Sequence, residues 1–225
     1  MREIVLQGRG PNTLSLALLE SLERDLDAAG DEPVLLTGAG KAFSSGLDLD
    51  ELNAAGPDML AKLLDAMERT TRKLFEYAGP TVAFVNGHAV AGGCLLVQCC
   101  DVRIAVAEPR VRIGMTGVAI GLVYPPFVFR VLQHRVPPGA LETVVLGSDR
   151  HDPREALRLG LVDEVVDGDA RARAVAELER RALLPRHAYA DAKRRLRAGV
   201  LANSAAEHQA FLGQVLPSWT AAVRR

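Results

Sequence analysis

Two glycine-bearing stretches carry the residues whose types and spacing could do chemistry. The first is TGAGKAFSSGLDL (37–49), which turns at Gly46-Leu47. The second is VNGHAVAGGCLL (85–96), where Gly92-Gly93 directly precede an apolar helical run. Glycine lets the backbone turn tightly or lie close to another group, and amides at the start of a helix have no intrahelical acceptor. Two such N–H groups converging on one oxygen make an oxyanion hole. Such a hole stabilises negative charge that builds on a carbonyl oxygen during reaction. GAGKAF lacks the GK[ST] ending of a phosphate loop, GxGxxG is absent, and NGHAVAG is not a GxSxG elbow.

Side chains able to move protons are scarce near these turns. His88 lies on the second stretch, and imidazole titrates near neutrality, although a packed histidine is the commoner case. Tyr124 follows a third glycine-bearing stretch, IGMTGVAIG (113–121), which holds no charged residue, histidine or cysteine. A phenol with a pKa of about 10 is a poor base and a usable acid. Ser44 and Ser45 have no sequence-adjacent base and suit ligand lining better than nucleophilic attack. His134, His187 and His208 fall in helical segments without metal-ligand spacing, so no metal is expected. Asp149 and His151 open a surface turn, where capping accounts for the aspartate. Cys94, Cys99 and Cys100 match neither zinc nor redox spacing and read as buried thiols.

The elements that must position these turns alternate. EIVLQG (3–8) reads as a strand. A helix capped by Asn12 or Ser15 runs to Ala29, with Leu14, Leu18, Leu22 and Leu26 as its stripe. PVLLTG (33–38) is a buried strand, and a loop carries the first glycine turn. A helix over 57–77 presents Leu60, Leu63, Leu64, Met67, Leu74 and Phe75. TVAFVNG (81–87) is a strand, leading through a glycine-rich turn to a short buried helix. DVRIAVA (101–107) and RVRIG (110–114) follow as strands. A helical pattern after Gly117 breaks at Pro125-Pro126, and helices over 137–147 and 152–160 precede a last strand, LVDEVV. The chain from about 170 onward is helical. This is an α/β pattern with a mostly parallel sheet, whose ligand sites lie beyond the C-terminal ends of strands. Residues 1–169 form the core and 170–225 a helical region.

Composition excludes several classes. The formal net charge is −1 over 225 residues, no basis for nucleic-acid binding. No apolar run reaches membrane-span length, the start MREIVLQGRG is not a signal peptide, and unpaired cysteines suit a cytoplasmic setting. The stretch Arg171–Arg197 holds nine basic and three acidic residues, read as a solvated helix surface, with a phosphate patch as the alternative.

GAGKAFSSGLDL, FVNGHAVAGGCLLVQCCDVRIA and the late ALRLGLVDEVV, in this order, resemble the enoyl-CoA hydratase/isomerase (crotonase) family. PNTLS (11–15) is similar to its first CoA-contacting loop, with Pro11 at its start. The resemblance spans about 3–200 and implies a spiral of ββα units with a helical C-terminal region used in trimers or stacked pairs of trimers. It implies an acyl-CoA thioester as substrate or ligand, with no permanently bound cofactor. The oxyanion N–H groups fall on Leu47 and Gly92. Gly46, Gly93, Lys41, Ala42, Ser44 and Ser45 fall along the CoA track, and Asp48 reads as structural.

The family's hydratases use two glutamates, and the resemblance puts their positions at Leu95 and Gly117. Its isomerases keep only the second, which is Gly117. Neither leucine nor glycine can move a proton, and Gly117 leaves room for water, an anion or acyl chain. Three readings follow: an enolate-stabilising enzyme with a nonstandard proton carrier, Tyr124 or His88; a catalytically silent acyl-CoA binder or oligomeric interaction protein; and a bicarbonate-assisted synthase, which Met115-Thr116-Gly117 echoes without the expected helpers. Ala91, Ile120, Leu122, Val123 and Phe127 suggest an apolar acyl wall.

Overall fold

The computed structural model describes residues 1–48, 50–51, 57–202 and 206–214. Strands β1 (Arg2–Leu6), β2 (Val34–Gly38), β4 (Thr81–Val85), β6 (Val102–Val106) and β8 (Glu164–Val166) form one sheet in the order β1-β2-β4-β6-β8. Every pairing in it is parallel. A second sheet, also parallel, joins β3 (Ala42–Ser44), β5 (His88–Val90) and β7 (Ile113–Gly114). Three successive strand pairs, β2–β3, β4–β5 and β6–β7, each give one strand to each sheet. That repetition is the crotonase-like ββα spiral.

The second sheet corrects the sequence reading, in which GAGKAFSSGLDLDEL (38–52) was a loop and 88–91 a turn. β3 and β5 have three residues each and lie among glycines, too short for a period-2 pattern to register. RVRIG likewise contributes only Ile113-Gly114. Strands β2 and β4 are buried at every position, as expected of strands covered on both faces.

Helix α1 (Leu16–Ala29) is capped by Ser15, whose Oγ accepts from the Leu18 N–H at 3.2 Å. Its buried row is Leu19, Leu22, Leu26 and Ala29, not the expected 14, 18, 22, 26. Leu14 lies before the helix and bridges Leu47. Asn12 instead holds the preceding loop, donating to the carbonyls of Ala39 at 2.9 Å and Ala42 at 2.8 Å. Helix α2 (Pro57–Glu76) buries the expected apolar face against α1 and α3 (Gly92–Cys99). Pro125-Pro126 does not simply end a helix: a 3-10 turn at Val118–Ile120 closes at Gly121, and Pro126 opens α4 (Pro126–Arg135). Helices α5 (Pro138–Leu146) and α6 (Pro153–Arg158) lead to β8.

Helices α7 (Ala170–Ala182) and α8 (Arg186–Leu201), with a further helical stretch at 206–214, form the C-terminal region. Its basic character is mostly spent internally. Arg173, Arg180 and Arg181 surround Glu177, whose carboxyl drops to about 2 chiefly through the Arg180 hydrogen bond. Lys193 and Arg197, expected on a solvated surface, are buried and bind Asp101 at 2.9 and 2.7 Å. Asp101 also accepts from Tyr189 Oη at 2.8 Å and the Thr81 N–H at 2.9 Å. Burial pushes the Lys193 ammonium down to about 8, against the pull of Asp101. Cys94, Cys99 and Cys100 are buried, unpaired thiols; burial raises all three pKa values, those of Cys94 and Cys100 to about 12. Among the described residues no helix is long and apolar enough to cross a membrane, and no cluster of His, Cys, Asp and Glu could hold a metal ion.

Candidate active site

The two glycine turns meet. Gly46 has φ +90°, and a Cβ there would sit 2.9 Å from the Val90 carbonyl oxygen and 3.0 Å from the Gly92 nitrogen. Only glycine tolerates both the dihedral and the approach. A parallel bridge orients the first turn: the Leu14 N–H donates to the Gly46 carbonyl at 2.8 Å and the Asp48 N–H to the Leu14 carbonyl at 3.2 Å. In such a bridge the Leu47 N–H points away from Leu14. The second turn is set by Ala91, held at φ +50° while its N–H donates to the Gly114 carbonyl at 2.8 Å. A non-glycine residue in that region is a local strain held by its surroundings; here β7 supplies the hold. Gly92 then opens α3. Among the described residues, neither the Leu47 nor the Gly92 amide donates to a protein acceptor.

Both amides border one cavity of about 420 Å³. Leu64, Met67 and Glu68 of α2 face it from one side, Met115, Thr116 and Gly117 from another, with Leu95, Leu122 and Tyr124 completing an apolar wall. Ile120 and Ala91 line it as expected; Val123 and Phe127 do not, Val123 being exposed and Phe127 buried in the core.

Of the residues singled out by sequence, Ser45, Leu47, Gly92, Gly117 and Tyr124 line this cavity. Pro11, Lys41, Ala42, Ser44, Gly46, Gly93 and His88 do not. Gly46 is instead the hinge that lets the turns touch. Ser44 is wholly buried; its Oγ donates to the Asn12 carbonyl at 2.7 Å and accepts from the Gly46 N–H at 3.2 Å, so it holds the turn rather than facing a ligand. Ala42 is buried in β3. The Pro11 carbonyl accepts from the Ser45 N–H at 3.1 Å. Lys41 is exposed beside the Gly87 turn, and a side chain at Gly93 would strike the Ser44 carbonyl at 2.2 Å. His88 is exposed on β5, with Nδ1 accepting from the Arg112 N–H at 3.0 Å. It opens β5 four residues before Gly92 and stands outside the cavity, which Val90, Ala91 and Gly92 line.

Asp48 is structural, as expected. Its Oδ1 accepts from the Asp50 and Glu51 N–H groups at 3.0 and 3.1 Å, and Oδ2 from Thr13 Oγ1 at 3.0 Å. Burial raises its pKa, but these bonds and the charge of Arg9 outweigh that, and the carboxyl titrates below its ordinary value.

Gly117 leaves no open space. A Cβ there would lie 2.8 to 3.0 Å from the edge and hydroxyl of the Tyr124 ring, and Tyr124 Oη accepts from the Gly117 N–H at 2.9 Å. The phenol fills the volume that a side chain at 117 would need. Burial raises its pKa despite that amide, so it stays neutral and could act as an acid, not a base.

Sequence reading missed Glu68. It lines the cavity, yet its side chain is only 9% exposed. A signal was present: Glu68 stands four residues after Leu64, a charge on the apolar face of α2. Its partner His208 is far away in the chain.

The comparisons with known proteins agree with this architecture. The family model for enoyl-CoA hydratase/isomerase matches residues 2–220. The chain belongs to that family. Mitochondrial enoyl-CoA delta isomerase 1 of Mus musculus is 34% identical over 179 residues, covering 73% of this chain and 60% of that protein. Mitochondrial enoyl-CoA hydratase domain-containing protein 3 of Mus musculus is 36% identical over 173 residues, 74% of this chain and 56% of that protein. The matches thus span well under two thirds of those relatives' lengths. Among solved structures, human mitochondrial delta3-delta2-enoyl-CoA isomerase superposes with a TM-score of 0.89 at 27% identity, covering 99% of this chain and 91% of that one. An enoyl-CoA hydratase from Mycobacterium marinum gives 0.84 at 26% identity, with 94% of each chain covered.

Proposed function

We propose that this protein binds an acyl-CoA thioester and stabilises its enolate through the Leu47 and Gly92 N–H groups, using a proton carrier other than a glutamate at 95 or 117. The observation that carries the reading is the meeting of two unclaimed amides at the edge of one apolar cavity. Family membership supports a CoA thioester as the ligand class. Each donor of such a pair contributes about 3–4 kcal/mol to a transition state carrying the negative charge. Leu95 and Gly117, where the resemblance puts the two acids of the hydratases, carry no proton-transferring group, which favours proton transfer at carbon over water addition. Tyr124, neutral and aimed at the same wall, is suited to donate a proton. A bicarbonate base is disfavoured because the phenol takes the space beside Gly117. The solvent-facing Val118, Ile120 and Val123 near this wall support a homo-oligomeric assembly, which a trimer or hexamer satisfies.

Incubation with butyryl-CoA in deuterium oxide tests the proposal: deuterium enters the carbon beside the thioester carbonyl, and Gly92→Pro abolishes this while circular dichroism stays unchanged. No deuterium uptake on any acyl-CoA that binds would make the protein a silent binder. Absence of micromolar binding by coenzyme A and its thioesters would leave only the interaction-module reading.

A further inference from the structure

Helix α2 has two neighbours that matter here. Its Leu64, Met67 and Glu68 line the cavity, and a Cβ on Gly92 would sit 3.1 Å from the Met67 methyl. Its Asp65 and Glu68 also receive the C-terminal stretch 206–214, which is moored in two different ways. On the α4 side, Glu207 pairs with Arg130, which also donates to the Ala202 carbonyl at 3.0 Å. A guanidinium does not lose its proton in a protein, so that cation is permanent. Phe211 and Leu212 are buried with the main core. On the α2 side the mooring is a histidine. His208 Nε2 contacts Asp65 Oδ1 at 2.6 Å, and Nδ1 lies directly against Glu68 Oε2, as an ion pair rather than an aligned hydrogen bond.

Both ring nitrogens of His208 therefore face carboxylate oxygens. A carboxylate only accepts, and a neutral imidazole carries one N–H and one lone pair. Neutral His208 would turn that lone pair on one of its two partners; the imidazolium satisfies both. The Glu68 contact is the better shielded, because the His208 and Glu68 side chains are 8 and 9% exposed and that of Asp65 is 38% exposed, and water and salt screen exposed charge. The His208 pKa is raised, first by Glu68 and then by Asp65, against burial. Among the described residues, the other charges around the ring are Arg72, which donates to Glu68 Oε1 at 3.2 Å, and the Glu207–Arg130 pair on the α4 side.

We propose that 206–214 is a pH-released strap on the cavity: charged His208 clamps it to α2, and loss of that charge frees the α2 side while the α4 side stays moored. Without its backing, the part of α2 that carries Leu64 and Met67 slackens beside the Gly92 turn. The folded pKa lies above the ordinary 6.5, so the clamp is complete below that value and is lost as pH rises through the folded one. Affinity for an acyl-CoA falls over the same window. That last consequence rests on the acyl-CoA reading above; the strap does not.

Amide hydrogen exchange of the full chain without ligand, corrected for the intrinsic effect of pH, tests the strap. The span is about pH 5 to 9, which brackets a raised histidine. The expected result in wild type is about a tenfold or greater loss of protection at alkaline pH, as for local opening, in 206–214 and in 64–68 together, with β2 and β4 unchanged. In His208→Gln protection is low and flat with pH, and His208→Lys, a cation over most of the range, restores it at the alkaline end. Protection in wild type that does not change with pH, or a change that persists in His208→Gln, would overturn the strap. A change in 206–214 that leaves 64–68 untouched would overturn its hold on the cavity wall. Butyryl-CoA titrated over the same span is expected to bind about tenfold more weakly at the alkaline end in wild type, and equally at both ends in His208→Gln. Absence of binding at every pH counts against the acyl-CoA reading and leaves the strap to the exchange result.

Discussion

The two walls of the cavity are built on different principles. The donor wall is backbone: two turns of the second sheet, locked by Gly46, Ala91 and the Gly114 carbonyl, present amides whose positions follow from the turns and not from the side chain at 47. The other wall is side chain: Glu68 from α2 and Tyr124 from the segment before α4. A backbone site survives substitution of every neighbour that keeps the turn, whereas a side-chain site changes with one residue. That difference explains how the two turns can stay intact while residues 95 and 117 are leucine and glycine.

The contrast breaks first at Gly46. Gly46→Ala must push the turns apart, and loss of one aligned donor is expected to slow deuterium exchange by about 10²–10³-fold, with acyl-CoA affinity less affected. An unchanged rate would mean that the turns are not a donor pair. On the other wall, Gly117→Glu does not restore a family acid, because the Tyr124 ring occupies its path. Overpacking of this kind costs about 1–3 kcal/mol, read as a lower denaturation midpoint. Pairing it with Tyr124→Ala recovers part of that loss, and a coupling of at least about 0.5 kcal/mol marks the two positions as one volume. Smallest is the effect of His208 on stability. Its folded pKa lies above the ordinary 6.5. Its contribution is therefore complete below that value and fades as pH rises through the folded pKa. His208→Gln flattens that fall in stability measured across neutral pH.

Legibility in the sequence follows the same division. The donor wall could be read because its signals are local: glycines at 46, 92 and 93 beside strong strand and helix patterns. Leu47, Gly92 and Gly117 reach the cavity as expected, and so does the structural role of Asp48. The side-chain wall was hidden because Glu68 and Tyr124 come together only through tertiary packing. His88 is adjacent to the second turn in sequence yet outside the cavity, while His208 lies 140 residues from Glu68 in sequence and touches it. The strands β3 and β5 escaped because three-residue strands carry too little pattern. The room anticipated beside Gly117 is filled by a residue seven positions later, a packing relation with no signature in spacing.

Asp101 gives the division near residue 170 a different meaning. One carboxylate gathers a strand amide, a phenol, a lysine and an arginine, three of them from α8. Removing one partner from such a buried set costs about 3–5 kcal/mol, so the last helices cannot peel from the sheet without exposing it. Amide hydrogen exchange should therefore report α8 and β4 opening together. A protease nick at the exposed Leu183, in the short link between α7 and α8, should leave both fragments bound. The change of architecture at the tail is then not a seam in the cooperativity of the molecule.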